Sequence, residues 1–137
     1  SKAGPVPFRE GFKANLHSLA HGWNKPEGAV ALGEWDKFMN EQLAYFLQRL
    51  DSHKEGDGTL LDRTMVLHGS SNSTTHNNSN YPLVFAGGSG IGLQHGQFLK
   101  VADNVPMSNL FVTMLDCMGV DAPKFADSTG DLTAVRA

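Results

Sequence analysis

The sequence has a single cysteine, few charged residues and no long apolar run. Cys117 alone excludes an internal disulfide bond and any zinc site built from several cysteines. Charged residues make up 18% of the chain, below the roughly 25% of an average soluble domain. No run approaches the ~18 apolar residues that a transmembrane helix needs, so we expect no membrane span.

Positive charge is also scarce. Eleven Lys and Arg residues stand against fourteen Asp and Glu residues, which gives a formal net charge of -3 and an isoelectric point near 6.0. A domain that binds nucleic acid usually carries a basic patch, and an anionic membrane surface attracts polybasic segments. We therefore expect neither of them as a partner.

The start of the chain lacks an initiator methionine, a basic region and an apolar signal segment. Because Ser1 has the pattern of a cut end, the sequence is interpreted as a segment of a longer protein. Its 137 residues suit one domain or part of one.

Hydrophobic periodicity predicts two amphipathic helices, at residues 30–52 and 106–118, where large apolar side chains recur at spacings of three and four. Asn104 is placed to cap the second helix and Gly119 to end it. A shorter helical turn is predicted at residues 12–19. The first long helix has an apolar face so rich in large residues that it must dock against a broad surface.

Two short runs at residues 64–68 and 81–86 are nearly continuous in apolar residues, which is typical of strands covered on both faces. Two strands and two helices cannot close a sheet covered on both sides. The sequence therefore predicts an α/β fold in which these strands complete a sheet whose other strands lie outside this sequence, so that the fold is incomplete on its own. The tail at residues 125–137 is predicted to be irregular.

His17 and His21 are four residues apart, a spacing that puts both imidazoles on one face of a helix and suits metal ligands. The alternative is two histidines with hydrogen-bonding roles only, and the spacing alone favours that alternative.

A polar loop at residues 69–80 is too long for a hairpin turn. Ser70 and Ser71 offer hydroxyl groups there, and His76 offers a base or a metal ligand. The loop contains no carboxylate, which weakens both a hard-metal site and a complete catalytic triad. The alternative is a surface loop whose polar groups are satisfied by its own turns.

The glycine-rich run at residues 87–92 follows a strand, as a dinucleotide-binding turn does. Such a turn must open a helix so that the helix N-terminus faces the pyrophosphate, and the pattern after residue 92 does not favour a helix. We expect a flexible loop here and no bound nucleotide. Cys117 is expected to be a small buried apolar residue.

The order of these motifs resembles a known family. The most specific stretches are Gly-Asp-Gly-Thr-Leu-Leu-Asp at residues 56–62 and Asp-Ser-Thr-Gly at residues 127–130. With them, residues 15–133 are similar to the C-terminal part of the HXXSHH-motif family, bacterial proteins of unknown function. That family resembles in turn the alkaline phosphatase and sulfatase superfamily.

The resemblance implies that residues 1–137 are the C-terminal segment of one larger alkaline-phosphatase-like α/β domain, whose mixed sheet is flanked by helices and is incomplete in this segment. It also implies export to the periplasm or cell surface. The partner would be the rest of the parent chain, or another chain that completes the sheet. The implied activity is hydrolysis of a phosphate or sulfate ester with a divalent metal ion. The implied site consists of His17, His21, Ser70 and Ser71 as catalytic residues and His76 as a metal ligand.

The chain departs from the family pattern at three positions. Ala20 replaces the serine of the motif, Gly22 replaces its last histidine, and Asn78 stands where a second loop histidine is common. It also departs from the superfamily, whose hydrolases hold metal with an Asp-His pair in the region where Ser70 and Ser71 stand here. The nucleophile and the remaining metal carboxylates of such enzymes lie in the N-terminal part, outside this sequence. A second hypothesis is therefore a non-catalytic structural or interaction protein on the same scaffold.

Overall fold

A computed structural model of the chain describes residues 15–74 and 76–137. It shows a mixed α/β class with three α-helices and two small antiparallel sheets, which confirms the predicted class. The chain divides into two compact units. The first contains the described residues up to Phe46 together with Gly69–Pro82, and the second contains Leu47–His68 and Leu83–Ala137.

Helix α1 spans Leu16–Gly22 and begins where Asn15 caps it. The Asn15 side chain accepts a hydrogen bond from the backbone N–H of Ser18 at 2.8 Å, which satisfies one of the free donors of the first turn. The predicted turn at residues 12–19 is thus displaced toward the C-terminus, and its first part lies outside the described residues. Leu19 is buried.

Helix α2 spans Pro26–Ser52 and confirms the predicted long helix. It begins earlier than predicted because Pro26 suits the first helical position. The backbone of Gly28 also packs on Gly22, so closely that a Cβ at Gly28 would lie 2.0 Å from the Gly22 carbonyl oxygen. No residue of α2 is buried, so the described chain does not provide the broad surface expected for its apolar face.

A hairpin missed by the sequence pattern follows α2. Strands β1 (Lys54–Glu55) and β2 (Gly58–Thr59) pair antiparallel, with Lys54 opposite Thr59. Gly56 has a φ of +62°, which is the left-handed conformation that tight hairpin turns favour. The strands are too short for their periodicity to be visible in the sequence.

Strands β3 (Val66–Gly69) and β4 (Leu83–Ala86) form the second two-stranded sheet. They are neighbours joined by the long connection of residues 70–82, which is not a tight hairpin turn. The expectation that both faces are covered is also not met within the described chain. No residue of either strand is buried, and Leu83 and Val84 are exposed.

Helix α3 spans Ser108–Cys117 and carries the core of the second unit. The predicted cap is wrong, because Asn104 has a φ of +65° and lies ahead of a helix start with no side-chain cap. Gly119 ends the helix as predicted, at a φ of +74°. The buried core is Leu93, Leu110 and Val135, and the partly buried residues that pack on it are Met65, Leu67, Phe85, Met114, Cys117 and Leu132.

The tail is more ordered than predicted. A short 3-10 turn at Thr133–Val135 buries Val135 in the core, and Arg136 forms a β-bridge with Leu93. Separately, none of the helices in the described ranges has both the length and the apolarity to cross a bilayer.

Candidate functional site

Three histidines meet in the first unit, and we call them the histidine cluster: His17, His21 and His76. The ring centroids of His17 and His21 are 4.5 Å apart, in an edge-on arrangement. The ring of His76 lies 5.1 Å from that of His21 and 6.4 Å from that of His17. All three residues are exposed. The structure therefore brings together three imidazoles that are distant in sequence.

Helix α1 sets the direction of the first two imidazoles. Residues four apart lie one above the other on a helix, so His17 and His21 share a face. Leu19 lies about 200° around the helix from each of them, at ~100° per residue. Because Leu19 is buried at 4% exposure, both histidines are turned outward.

Local turns hold the backbone of His76. Its φ of +62° lies in the left-handed region, which residues other than glycine rarely adopt. The Asn77 N–H donates to the Thr74 carbonyl oxygen at 2.6 Å, and the Ser73 N–H donates to the Asn77 carbonyl oxygen at 2.8 Å. These bonds close a turn around His76, so the loop presents this residue in a defined backbone conformation.

The two predicted serines have local partners. The Asn72 N–H donates to Ser70 Oγ at 3.2 Å, and the Asn72 side-chain amide donates to Ser71 Oγ at 3.4 Å. Both serines are exposed. Such bonds match the alternative interpretation of a polar loop satisfied by its own turns, whereas a serine nucleophile needs a base beside it.

The donor chemistry of the histidine cluster suits some metals and not others. Imidazole nitrogens are ligands for zinc, copper and nickel ions, whereas magnesium and calcium prefer oxygen. Two imidazoles on one tetrahedral zinc ion have centroids about 5 Å apart, given Zn–N bonds of ~2 Å, and the observed spacings bracket that value. As the side chains stand, however, no group of three or more His, Cys, Asp or Glu residues in the described chain could hold a metal ion.

Asp62, the last residue of the first family-like stretch, is the polar centre of a network in the second unit. Its carboxylate accepts hydrogen bonds from Ser89 Oγ at 2.5 Å, from the Thr59 N–H at 2.7 Å and from Thr59 Oγ1 at 2.9 Å. Hydrogen bonds from Ser89 and from Thr59 lower the pKa of the Asp62 carboxyl below its usual value. Through these hydrogen bonds Asp62 joins Thr59 of β2 to Ser89 of the glycine-rich run. A threonine three residues before an aspartate is the local signal that could have predicted part of this network.

The glycine-rich run forms a compact turn. Gly88 and Gly92 have left-handed backbones on either side of a 3-10 turn at Ser89–Ile91, and the next α-helix begins only at Ser108. A phosphate-cradling turn needs a helix N-terminus directly after its glycines. The run does not have that form. Instead of the expected flexible loop, it forms a turn bonded to the 3-10 turn at Leu61–Arg63, where the Gly88 N–H donates to the Leu61 carbonyl oxygen at 2.9 Å.

The second family-like stretch, residues 127–130, is bound to α3 through side chains. Ser108 Oγ donates to Asp127 at 2.6 Å, and Asn109 bonds with Thr129. Ser108 and Asn109 are both buried at 5% exposure. The polar residues of this stretch therefore fix the chain that follows α3.

A surface cavity of about 340 Å³ lies beside the tail in the second unit. Arg136 lines it and forms ion pairs with Asp116 at 2.5 Å and with Asp131 at 3.9 Å. The hydrogen bond with Asp116 raises the pKa of the Arg136 guanidinium above its usual range. The pair with Asp116 attaches the tail to α3, whereas the pair with Asp131 lies within the tail.

Comparisons of the chain with protein-family models, curated proteins and solved structures gave no significant match in any of the three. The resemblance to the HXXSHH-motif family accordingly stays a hypothesis that rests on the motifs above.

Proposed function

We propose that the chain is the C-terminal segment of an exported alkaline-phosphatase-like protein and contributes one side of a site for hydrolysis of a phosphate or sulfate ester. The observation that carries this proposal is the histidine cluster. His17 and His21 come from α1 and His76 from the loop of residues 70–82, and the three rings lie within 6.4 Å of one another.

In this proposal His76 is a metal ligand, and His17 and His21 are the acid–base groups. A neutral imidazole can accept a proton near neutral pH and return it to a leaving group. A divalent ion would supply positive charge to the oxygens of the phosphate or sulfate group. Ser70 and Ser71 line the approach from the loop.

The apolar surface of the chain supports the proposal that further sequence covers it. Helix α2 has no buried residue, and Tyr45 and Phe46 in its C-terminal half are 62% and 48% exposed. Strand β4 leaves Leu83 and Val84 exposed as well. An α/β domain normally packs helices on such a sheet, so this surface fits a segment of a larger mixed sheet.

A second candidate is a non-catalytic structural or interaction protein on the same scaffold. The side-chain bonds of Ser70, Ser71 and Asp62 favour it, because each of these groups is engaged in local structure. The departures from the family pattern at Ala20, Gly22 and Asn78 also favour the non-catalytic protein.

The two candidates are separated by metal analysis of the full-length parent protein together with turnover of aryl phosphate and aryl sulfate. If the histidines act as proposed, His21→Ala should lower turnover by about 10²- to 10⁴-fold, the usual contribution of a general acid or base. His53→Ala is the matched control, because His53 is an exposed histidine at the end of α2. A parent protein with neither bound metal nor turnover supports the interaction protein instead.

A further inference from the structure

We propose that the second unit binds a second copy of the same chain through two neighbouring surfaces. One is an apolar and basic stretch at residues 98–101, which we call the exposed segment. The other is the cavity beside Arg136, which we call the acidic cavity. In the pair, the exposed segment of each copy lies on the acidic cavity of the other. This interaction does not require ester hydrolysis, because the histidine cluster belongs to the first unit.

The exposed segment has the sequence Phe-Leu-Lys-Val. Phe98 is 92% exposed, although phenylalanine is one of the residues most often buried in proteins, and Leu99 and Val101 are exposed as well. Lys100 forms no ion pair within the described chain, and positions 94–102 contain no acidic residue. Exposed apolar residues that lie side by side mark an interaction surface, and here they flank a free positive charge.

The acidic cavity carries an excess of negative charge. Asp116, Asp121 and Asp131 line it, and Arg136 is the single cation among its lining residues. Arg136 pairs with Asp116 and, at a longer distance, with Asp131. Asp121 is exposed and has no ion pair within the described chain, so its carboxylate is available to a cation of a partner.

The two surfaces are complementary in charge and in polarity. The ammonium group of Lys100 suits the free carboxylate of Asp121, and the apolar neighbours of Lys100 suit Ala122 and Pro123 in the cavity wall. The volume of about 340 Å³ lies at the lower end of the ~300–1,000 Å³ pockets that take up small ligands, so the cavity has room for a side chain. The 92% exposure of Phe98 shows that its own chain leaves this ring uncovered.

The position of the exposed segment favours a second copy over an unrelated partner. The side-chain amide of Gln97 donates to the Ala134 carbonyl oxygen at 2.8 Å, so the segment begins beside the tail that carries Arg136. The two complementary surfaces are therefore neighbours on one unit. In a dimer with two-fold symmetry the contact from one surface to the other is made twice, so that two copies close on each other.

The first experiment measures the mass of the chain by sedimentation equilibrium at concentrations from about 1 μM to about 1 mM, which covers weak and moderate dissociation constants. We expect a monomer–dimer equilibrium that shifts toward the monomer as salt increases, since salt screens exposed charges. Phe98→Ser should raise the dissociation constant at least about tenfold, as the loss of an aromatic anchor does at other interfaces. A chain that stays monomeric at every concentration would overturn the proposal.

The second experiment reverses the two charges that are proposed to meet. Lys100→Glu and Asp121→Lys should each weaken the dimer, because like charges then face each other. An equimolar mixture of the two variants should dimerise again, since each contact between the two different copies joins opposite charges. Lys25→Glu is the control, because Lys25 is an exposed lysine of the first unit, and it should dimerise as the unchanged chain does. A mixture that stays monomeric, or equal weakening by Lys25→Glu, would contradict the proposal.

The competing occupant of these surfaces is another part of the full-length parent protein. In that case the parent would sediment as a monomer, and Lys100→Glu and Asp121→Lys would increase proteolysis at residues 98–101 without a change in its mass. That result would overturn a second copy as the occupant. A dimeric parent in which both variants lower the mass, and in which their mixture restores it, would support the proposal.

Discussion

Asn109 of helix α3 holds Thr129 by two hydrogen bonds at once. Its side-chain oxygen accepts from the Thr129 N–H at 2.9 Å, and its side-chain amide donates to Thr129 Oγ1 at 3.2 Å. Because Asn109 is buried at 5% exposure, both ends of its amide need these partners. The Asn109 side chain therefore fixes the backbone of the segment that follows α3 by hydrogen bonds.

Replacement of Asn109 should destabilise the second unit. Asn109→Ala removes both bonds, and at ~1 kcal/mol for each bond we expect a loss of about 2 kcal/mol in the free energy of unfolding. Thr129→Ala keeps the backbone bond and should cost about half as much. Urea unfolding followed by circular dichroism measures both. If the two variants are equally stable, the paired bonds do not contribute as argued.

The hydroxyl group of Thr113 also joins helix α3 to the segment that follows it. It is completely buried, and its Oγ1 accepts from the Leu132 N–H at 2.8 Å and donates to the Asn109 carbonyl oxygen at 3.2 Å. Thr113→Val keeps the shape but leaves the Leu132 N–H unpaired, so we expect a loss of about 1–3 kcal/mol. Thr113→Ser keeps the hydroxyl and removes one methyl group, at a cost of about 1 kcal/mol. A larger loss for serine than for valine in urea unfolding would show that packing, and not the hydrogen bond, dominates at this position.

Asp62 should make the stability of the second unit depend on pH. Hydrogen bonds from Ser89 and Thr59 lower the pKa of the folded carboxyl below its unfolded value of about 3.9. A lowered pKa contributes stability above the unfolded value, and this contribution is lost as the pH falls from about 4 through the folded pKa. Asp62→Asn should therefore be less stable than the unchanged protein at pH 7, and the difference should shrink at pH 3.

The control for that prediction is Asp57→Asn. The side chain of Asp57 is 96% exposed and forms one ion pair with Arg63 at 3.0 Å, so its removal should change the melting temperature little at either pH. A difference between Asp62→Asn and the unchanged protein that stays constant from pH 7 to pH 3 would contradict the role given to the carboxylate.

The helices could be predicted from the sequence because their apolar residues repeat with the helical period. The start of α2 could not be predicted in this way, because it depends on the close approach of Gly28 to Gly22. The pairing of β3 with β4 could not be predicted from the sequence for a different reason. Continuous apolar runs indicate burial, but in the described chain no residue of either strand is buried, and half of β4 is exposed.

The candidate site was predictable in part. The spacing of His17 and His21 follows from the geometry of one helix and needs only local sequence. The position of His76 beside them depends on a turn in which His76 has a left-handed backbone. Backbone hydrogen bonds set the position of this turn, and no short sequence pattern specifies them. The bond between Asp62 and Ser89 could not be predicted from a local pattern, because the two residues lie 27 positions apart in the chain.

Gly87, directly after β4, offers a prediction about its close approach to Thr64, which lies just before β3. It has a φ of +77°, and a Cβ there would lie 2.1 Å from the Thr64 carbonyl oxygen. Gly96 has a similar φ of +84° with no atom within 4 Å of a Cβ. Gly96→Ala should therefore cost only the left-handed penalty of about 1–2 kcal/mol, whereas Gly87→Ala must also push the backbone of Thr64 away. We expect the larger loss in Gly87→Ala, with faster hydrogen exchange in Val66–Gly69, and equal losses in the two variants would contradict this packing.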